Sequence, residues 1–193
     1  EDTQVSSMIE ALSEQIHYVI GPVKDLVPLR KEVEVVGKYV FLLNCRIQGN
    51  IQFEVLTNHL DTLMVPKLIL QPIVENAYIH GIKPKGGKGR IFMETSRTEG
   101  NLEISIMDDG VGMDEEQLTQ MKKLLAGDAI GIKDEYNWKS IGLKNVHDRI
   151  RYLYGEEYGV KVTSSPGFGT IVRLLLPLME GENTYDQNDY RRR

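Results

Sequence analysis

The chain is short of the features that would place it in several large functional classes. Only one of its 193 residues is cysteine. Cys45 therefore has no internal disulfide partner and cannot build a thiolate zinc cluster, which fits a reducing compartment. No apolar run approaches the roughly 20 residues a membrane-spanning helix needs. Tyr39 to Leu43 is too short, and the stretch from Leu68 to Val74 carries Gln71 and Pro72. The amino end, Glu1-Asp2-Thr3-Gln4, has no basic segment followed by an apolar one, so no secretory signal is in view. Basic charge is not in excess either. With a net charge of −5 the chain is a poor general polyanion binder, and nucleic acid is excluded as a partner. There is no internal repeat. What is present, 41% hydrophobic and 26% charged residues, suffices for one ordinary folded domain with accessory helices.

Hydrophobic periodicity divides the chain. Val5, Met8, Ile9, Leu12, Ile16 and Val19 recur at helical spacing before Gly21-Pro22. After Leu29 a second helix is predicted, with Val33, Val36, Val40, Leu43 and Ile47 on one face and Gly49-Asn50 as its stop. Beyond Asn50 the period becomes two: Ile51, Phe53 and Val55, then Ile91 and Met93, then Leu102, Ile104 and Ile106. Two hairpins are predicted, one turning at residues 97–101 and one at residues 165–169 between Val160 to Thr163 and Thr170 to Leu176. Three helices interrupt these strands. One is expected from near Pro66 to about His80, kinked at Pro72; one from Asp114 to Ala126; one opening after Ser140 and ending at Gly155. The pattern predicts an α+β fold, a two-layer sandwich of one mixed sheet covered on one face by helices. The expected division is a helical neck at residues 1–49, a domain at 50–178 and a flexible tail at 179–193.

Four short segments carry candidate chemistry. In Gln71-Pro72-Ile73-Val74-Glu75-Asn76-Ala77-Tyr78-Ile79-His80-Gly81, Asn76 and His80 share a helix face; an exposed polar face explains that equally well. Asp108-Asp109-Gly110-Val111-Gly112 follows an apolar strand, and its glycines let the backbone pass close to a ligand; Asp/Gly turns are common. Ser140-Ile141-Gly142-Leu143-Lys144 puts a glycine at an expected helix start, where free amides hold phosphate; Ser140 as a plain cap is the bland alternative. Gly167-Phe168-Gly169-Thr170 is, alone, a hairpin loop.

In this order the four segments resemble the nucleotide-binding boxes of the GHKL ATP-binding fold, shared by sensor histidine kinases, gyrase-type topoisomerases, Hsp90 chaperones and mismatch-repair ATPases. Val65-Pro66-Lys67-Leu68-Ile69-Leu70-Gln71-Pro72 and Ile141-Gly142-Leu143-Lys144-Asn145-Val146 look like signatures of LytS/YesM-type sensor histidine kinases. Leu12-Ser13, Leu29-Arg30-Lys31-Glu32-Val33 and Tyr39 resemble the stretch that joins that group's phosphoacceptor helices to its ATP domain.

The resemblance implies roles. Asn76 binds the Mg2+ that accompanies ATP, since a hard cation prefers oxygen, and Glu75 beside it is a catalytic candidate. Asp108 accepts a hydrogen bond from the adenine amino group. Gly110 and Gly112 admit the base, His80, Ser140, Gly142, Leu143 and Lys144 meet the phosphates, and Gly167, Gly169 and Thr170 close the adenine side. It also implies a homodimer formed mostly through upstream helices, a response-regulator partner and a membrane-anchored whole with this portion in the cytoplasm.

Two positions depart from the pattern: Ile79 stands where many relatives carry lysine, and Ser140 where glycine is common. The group's Asn-Pro-His-Phe acceptor sequence is absent, and His17, His59 and His147 are not its equivalents. Residues 113–140 are expected to form a lid over the nucleotide, with Trp138 beside its hinge. The competing functions are a GHKL ATPase that hydrolyses ATP and a nucleotide-binding relic that serves as a docking module.

Overall fold

A computed structural model of the chain describes residues 2–20, 26–47, 49–57, 60–128 and 134–181, with residue 2 and residues 134–140 described as backbone alone. The expected stop at Gly21-Pro22, His59, the side chains of Trp138 and Ser140, and the tail from 182 onward lie outside the described residues. Helix α1 (Asp2–Ile20) and α2 (Leu29–Ile47) pack together, with strand β1 (Leu26–Pro28) before α2. Five strands form the main sheet: β2 (Asn50–Leu56), β4 (Lys88–Thr98), β5 (Asn101–Asp108), β6 (Gly159–Ser164) and β7 (Thr170–Pro177), in the order β2-β4-β5-β7-β6. Only β2 and β4 are parallel, because the segment between them crosses over the sheet; all other neighbours are antiparallel. Strict alternation along β7 buries Val172, Leu174 and Leu176 in the core that the sheet shares with α5 (Asp134–Tyr154), α4 (Glu115–Leu125) and the helix α3 (Gln71–Asn76). The mixed sheet with one helical layer is the expected α+β sandwich.

Helix α2 is not a free-standing neck. Its face of Leu29, Val36, Val40 and Leu43 is 5% exposed or less and belongs to the same core as the sheet. Asn44 pins its end to β2, accepting from Ile51 N at 2.9 Å and donating to Ile51 O at 2.8 Å.

Between β3 (Met64–Pro66), which pairs with β1, and α3, the chain departs from expectation. The helix expected from Pro66 begins only at Gln71, and Pro72 sits in its first turn instead of kinking it, since proline lacks only an amide that would be orphaned there anyway. The residues before it are held by a carboxylate. Glu32, on the apolar stripe of α2 and 2% exposed, accepts from the amides of Leu68 at 2.6 Å, Ile69 at 2.9 Å and Leu70 at 3.0 Å, and from Tyr18 Oη of α1 at 2.5 Å. This clamp holds Leu68 at φ 63°, a conformation that costs a residue other than glycine about 1 kcal/mol or more. From the other side Arg149 of α5 donates to Lys67 O at 2.5 Å, and Lys67 Nζ stands 4.7 Å above the Tyr18 ring. Burial, followed by the Glu32 charge and hydrogen bond, drives the Tyr18 hydroxyl pKa well above its ordinary value.

Three further differences bear on function. Helix α3 does not run on as α-helix but loosens at Ala77–Ile82 into a π-helical turn. Helix α5 opens at Asp134, six residues before Ser140, so Gly142 lies inside it. One glycine costs a helix interior only about 1 kcal/mol relative to alanine, too little to stop a run with no proline. The segment at 179–181, expected as tail, is tied down: Met64 N donates to Met179 O, Gly181 N to Thr62 O, and Leu63 bridges Glu180.

Glu32→Ala strands three amides, two of them buried, at about 1 kcal/mol each, so urea denaturation is expected to show a loss of about 3 kcal/mol. Tyr18→Phe, which removes one donor and leaves those three amides bonded, should cost about 1 kcal/mol.

Candidate functional site

The carboxyl end of β5 is where several of the expected site residues gather. The last residue of that strand, Asp108, is only 8% exposed, and its Oδ1 accepts from Gly110 N at 2.8 Å while Thr170 N supplies a second backbone hydrogen bond. Desolvation by burial raises its pKa to about 6, against the lowering effect of those two amides; Asp109 adds a smaller upward push and Lys85 a downward one. A carboxylate kept short of water, with lone pairs to spare, is a directional acceptor for a ligand N–H.

Around it the backbone closes in through glycines. Gly112 (φ 70°) and Gly169 (φ 78°) occupy the left-handed region, and a Cβ on either would collide with a carbonyl oxygen, Ser165 O or Asp108 O. A side chain on Gly81 would bring its Cβ within 2.5 Å of Asp108 Oδ1, and one on Gly110 would strike the Gly81 backbone. Val111 N donates to Gly81 O at 2.9 Å and Gly167 N to Val111 O at 2.7 Å, stitching the π-helical turn, the Asp-Asp-Gly loop and the β6–β7 turn together. Ser164 completes the seam: its Oγ donates to Gly169 O at 2.7 Å, accepts from Met113 N at 2.9 Å, and lies 2.9 Å from Thr170 Oγ1.

Asp109 faces the other way. Its carboxylate accepts from Arg90 N at 2.9 Å and meets Lys85 Nζ at 3.0 Å. Partial burial alone would raise its pKa, but these hydrogen bonds and charges prevail and hold it below the ordinary range. The basic loop at residues 81–90 is thereby fastened to the loop that follows Asp108.

The predicted residues fall into two groups. Asp108, Gly110, Gly112, Gly169 and Thr170 converge, with Gly167 at the tip of the same turn. Asn76 ends α3, half-buried, and its side-chain amide makes no hydrogen bond among the described residues. His80 lies in the π-helical turn, where four residues no longer complete one turn; Glu75 accepts from Gln71 Nε2 at 2.8 Å. The second group does not take the expected form. Gly142 is no free helix start, Leu143 is fully buried in the core, and Lys144 Nζ is engaged by Asp148 at 2.5 Å. Instead Gly142 faces α3, where a Cβ would lie 3.4 Å from Pro72 Cβ, at ordinary contact distance.

Sequence reasoning passed over Gly81, Ser164 and Glu32 as functional positions. A glycine directly after His80 and a lone glutamate on the apolar stripe of α2 were the available signals.

Because the folded-state pKa of Asp108 lies above its unfolded value, this carboxyl binds more proton in the native chain than in the unfolded one between about pH 4 and 6. Its contribution to stability is therefore lost as pH rises through that window. Asp108→Asn should remove this slope, gaining up to about 3 kcal/mol over wild type at pH 7 relative to pH 4, as measured by denaturant unfolding without nucleotide.

The sequence profile of the histidine kinase-, DNA gyrase B- and HSP90-like ATPases matches residues 64–180. Over 178 residues the chain is 26% identical to the sensor histidine kinase YesM of Bacillus subtilis, covering 92% of this chain and 28% of that protein. To the sensor protein LytS of Oceanobacillus iheyensis it is 29% identical over 156 residues, covering 80% of this chain and 26% of that one. It thus spans less than a third of the length of these relatives. The solved catalytic domain of histidine kinase ThkA superposes with a TM-score of 0.55 at 17% identity, covering 81% of this chain and 97% of the domain. ThkA in complex with the response regulator TrrA gives 0.52 at 16%, covering 92% of this chain and 49% of that one. These structures share the fold. The profile takes in more than half of the chain, including α3 and every loop that encloses Asp108, and the chain belongs to the family of histidine kinase-, DNA gyrase B- and HSP90-like ATPases.

Proposed function

We propose that this chain is the ATP-binding catalytic domain of a bacterial two-component sensor histidine kinase, presenting ATP with Mg2+ for transfer of the γ-phosphoryl group to a histidine outside this chain. The observation that carries the reading is the buried Asp108 carboxylate in its wall of glycine backbone, an acceptor suited to the adenine amino group. Gly110, Gly112, Gly167, Gly169 and Thr170 shape the slot for the base. Transfer of a phosphoryl group needs little covalent help, so what these residues do is bind and orient.

Asn76 fits the metal. Its amide is uncommitted among the described residues, and a side-chain carbonyl is the donor a hard cation takes. When bound, Mg2+ neutralises phosphate charge. Glu75 enters the proposal as the neighbour that frames Asn76; transfer to a histidine requires no water to be activated. His80 is the basic group nearest Asn76 along the chain. Ser140, Gly142, Leu143 and Lys144 offer their amides to phosphate only once the first turns of α5 have unwound.

The proposal extends to partners. The apolar stripe of α1, with Val5, Ile9, Leu12, Ile16 and Val19 about half exposed or more, supports a homodimer formed through helices. A response regulator, which takes the phosphoryl group on from that histidine, is part of the reading and is supported by the regulator complex of ThkA. Among the described residues no helix is long and apolar enough to cross a membrane. Anchoring of the whole protein, with this portion on the cytoplasmic side, is proposed on the likeness to sensor proteins and through segments outside this chain.

Calorimetry with ATP and Mg2+ should show at least a tenfold loss of affinity in Asp108→Ala, the equivalent of a charge-assisted hydrogen bond of about 1.5 to 3 kcal/mol. Asn76→Ala should lose only the Mg2+-dependent part. With labelled ATP the chain alone should stay unlabelled and a supplied acceptor helix should gain acid-labile phosphate. Release of free phosphate without a labelled protein would replace the kinase reading with that of a hydrolytic ATPase.

Gly142→Ala favours the α-helical state of α5 by roughly 1 kcal/mol. If the phosphates require that helix to unwind, ATP affinity should fall about fivefold while thermal stability without ligand rises. Unchanged affinity would show that the phosphates are held without unwinding.

A further inference from the structure

A cavity of about 440 Å³ lies between α4, α5 and β6, lined by Lys122, Leu125, His147, Arg151, Lys161 and Thr163 among others. None of its lining residues belongs to the nucleotide site described above. Four of them are basic or can become so, in a chain whose net charge is −5. Lys122 and Lys161 are exposed, whereas His147 and Arg151 are half-buried, so two cations stand at the rim and two groups lie deeper.

The hydrogen bonds of the two deeper groups do not close. Val160 N donates to His147 Nδ1 at 3.0 Å, so Nδ1 carries no proton and the neutral ring bears its hydrogen on Nε2. That Nε2–H faces Arg151 Nη1 at 3.4 Å. Guanidinium nitrogens only donate. Two donors therefore confront each other with no acceptor between them. Arg151 Nε is also buried without a partner among the described residues, and Glu156, mostly exposed, pairs with Nη2 of the same guanidinium. Of the charged groups acting on the ring, Arg151 and Lys144 on α5 are cationic and Asp148 is anionic, itself engaged by Lys144, while Glu156 offsets part of the Arg151 charge. Lys122 on α4 and Lys161 on β6 add positive charge from the two elements packed against α5.

Missing acceptors beside concentrated positive charge define the complementary ligand. We propose that this cavity is a binding site for a phosphate-type anion, held by Arg151 Nη1 and His147 Nε2–H within and by Lys122 and Lys161 at the rim. Phosphate oxygens suit this set because one group can accept from several donors at once, and arginine is matched to such oxyanions. Burial and the Arg151 charge hold the pKa of His147 below its ordinary value. A bound anion reverses the second of these effects, which makes the ring its own reporter.

The test follows the imidazole signals of His147 by NMR in the whole chain, during titration with inorganic phosphate at constant ionic strength maintained with chloride. A parallel titration uses glycerol 2-phosphate, so that free phosphate and a phosphate monoester are compared as sources, and a third uses acetate. The expected result is a saturable shift with one or both phosphates, a rise in the His147 pKa at saturation, and a much weaker response to acetate. Arg151→Gln should abolish the response, and Lys161→Glu, at an exposed strand position, should weaken it at least fivefold. Lys161→Glu and Lys122→Glu retain the test if Arg151→Gln does not fold. A shift no larger than chloride produces, or one undiminished in the Lys161 and Lys122 variants, would overturn the assignment and leave a water-filled basic cleft.

Discussion

One buried carboxylate fixes where the helical layer meets the rest of the chain. Glu32 reaches from α2 to take three successive amides, Leu68 to Leu70, just before α3 begins. Those amides would otherwise face an apolar interior with no partner, since Ile69 and Leu70 are fully buried. The same carboxylate receives the Tyr18 hydroxyl from α1, and Arg149 of α5 holds the carbonyl of Lys67. Three helices are thus referred to one short turn, and the position of α3, with Asn76 at its far end, follows from it. A charge buried at this depth is retained because every donor around it is matched; hydrophobic packing could fill the volume but could not satisfy the amides.

Asp108 is the counterpart on the ligand side, and its environment is arranged differently. Glu32 is met by four donors, whereas Asp108 has two backbone amides and a slot of glycines beside it. The shortfall is what leaves acceptor capacity for a ligand, and it carries a penalty in the free chain above pH 6. Folding stability is diminished at the position where the proposed recognition needs an under-served charge, a common arrangement at binding sites.

What could be read from the sequence was what depends on neighbours along the chain. The strands β5 and β7, the hairpin turn within residues 97–101 and the start of α4 at Asp114 are all local patterns, and each stands where its residues predicted. The ordered glycine segments were legible because a backbone that must pass near a carboxylate tolerates no side chain. The pairing of Glu32 with amides 36 to 38 residues away leaves no periodic trace. Nor does the start of α5: a glycine preceded by serine reads as a boundary, yet its modest helix penalty is outweighed by 21 residues of continuous helix. The anchoring of residues 179–181 depends on the edge formed by residues 62–64, and composition alone made that segment look like tail.

The π-helical turn at Ala77–Ile82 carries a consequence for how this chain tolerates insertion and deletion. A π-helical turn holds about one residue more than an α-helical turn, and such turns cost regularity that an uninterrupted α3 would recover. Deleting a single residue there would give a better helix, yet it would rotate everything beyond it by about 100°. Gly81 would swing away from Asp108, the amide of Val111 would lose its carbonyl, and a side chain would point into the slot. The extra residue is therefore a spacer that sets the angular phase between Asn76 and Gly81, and the length of this segment is constrained more tightly than its composition.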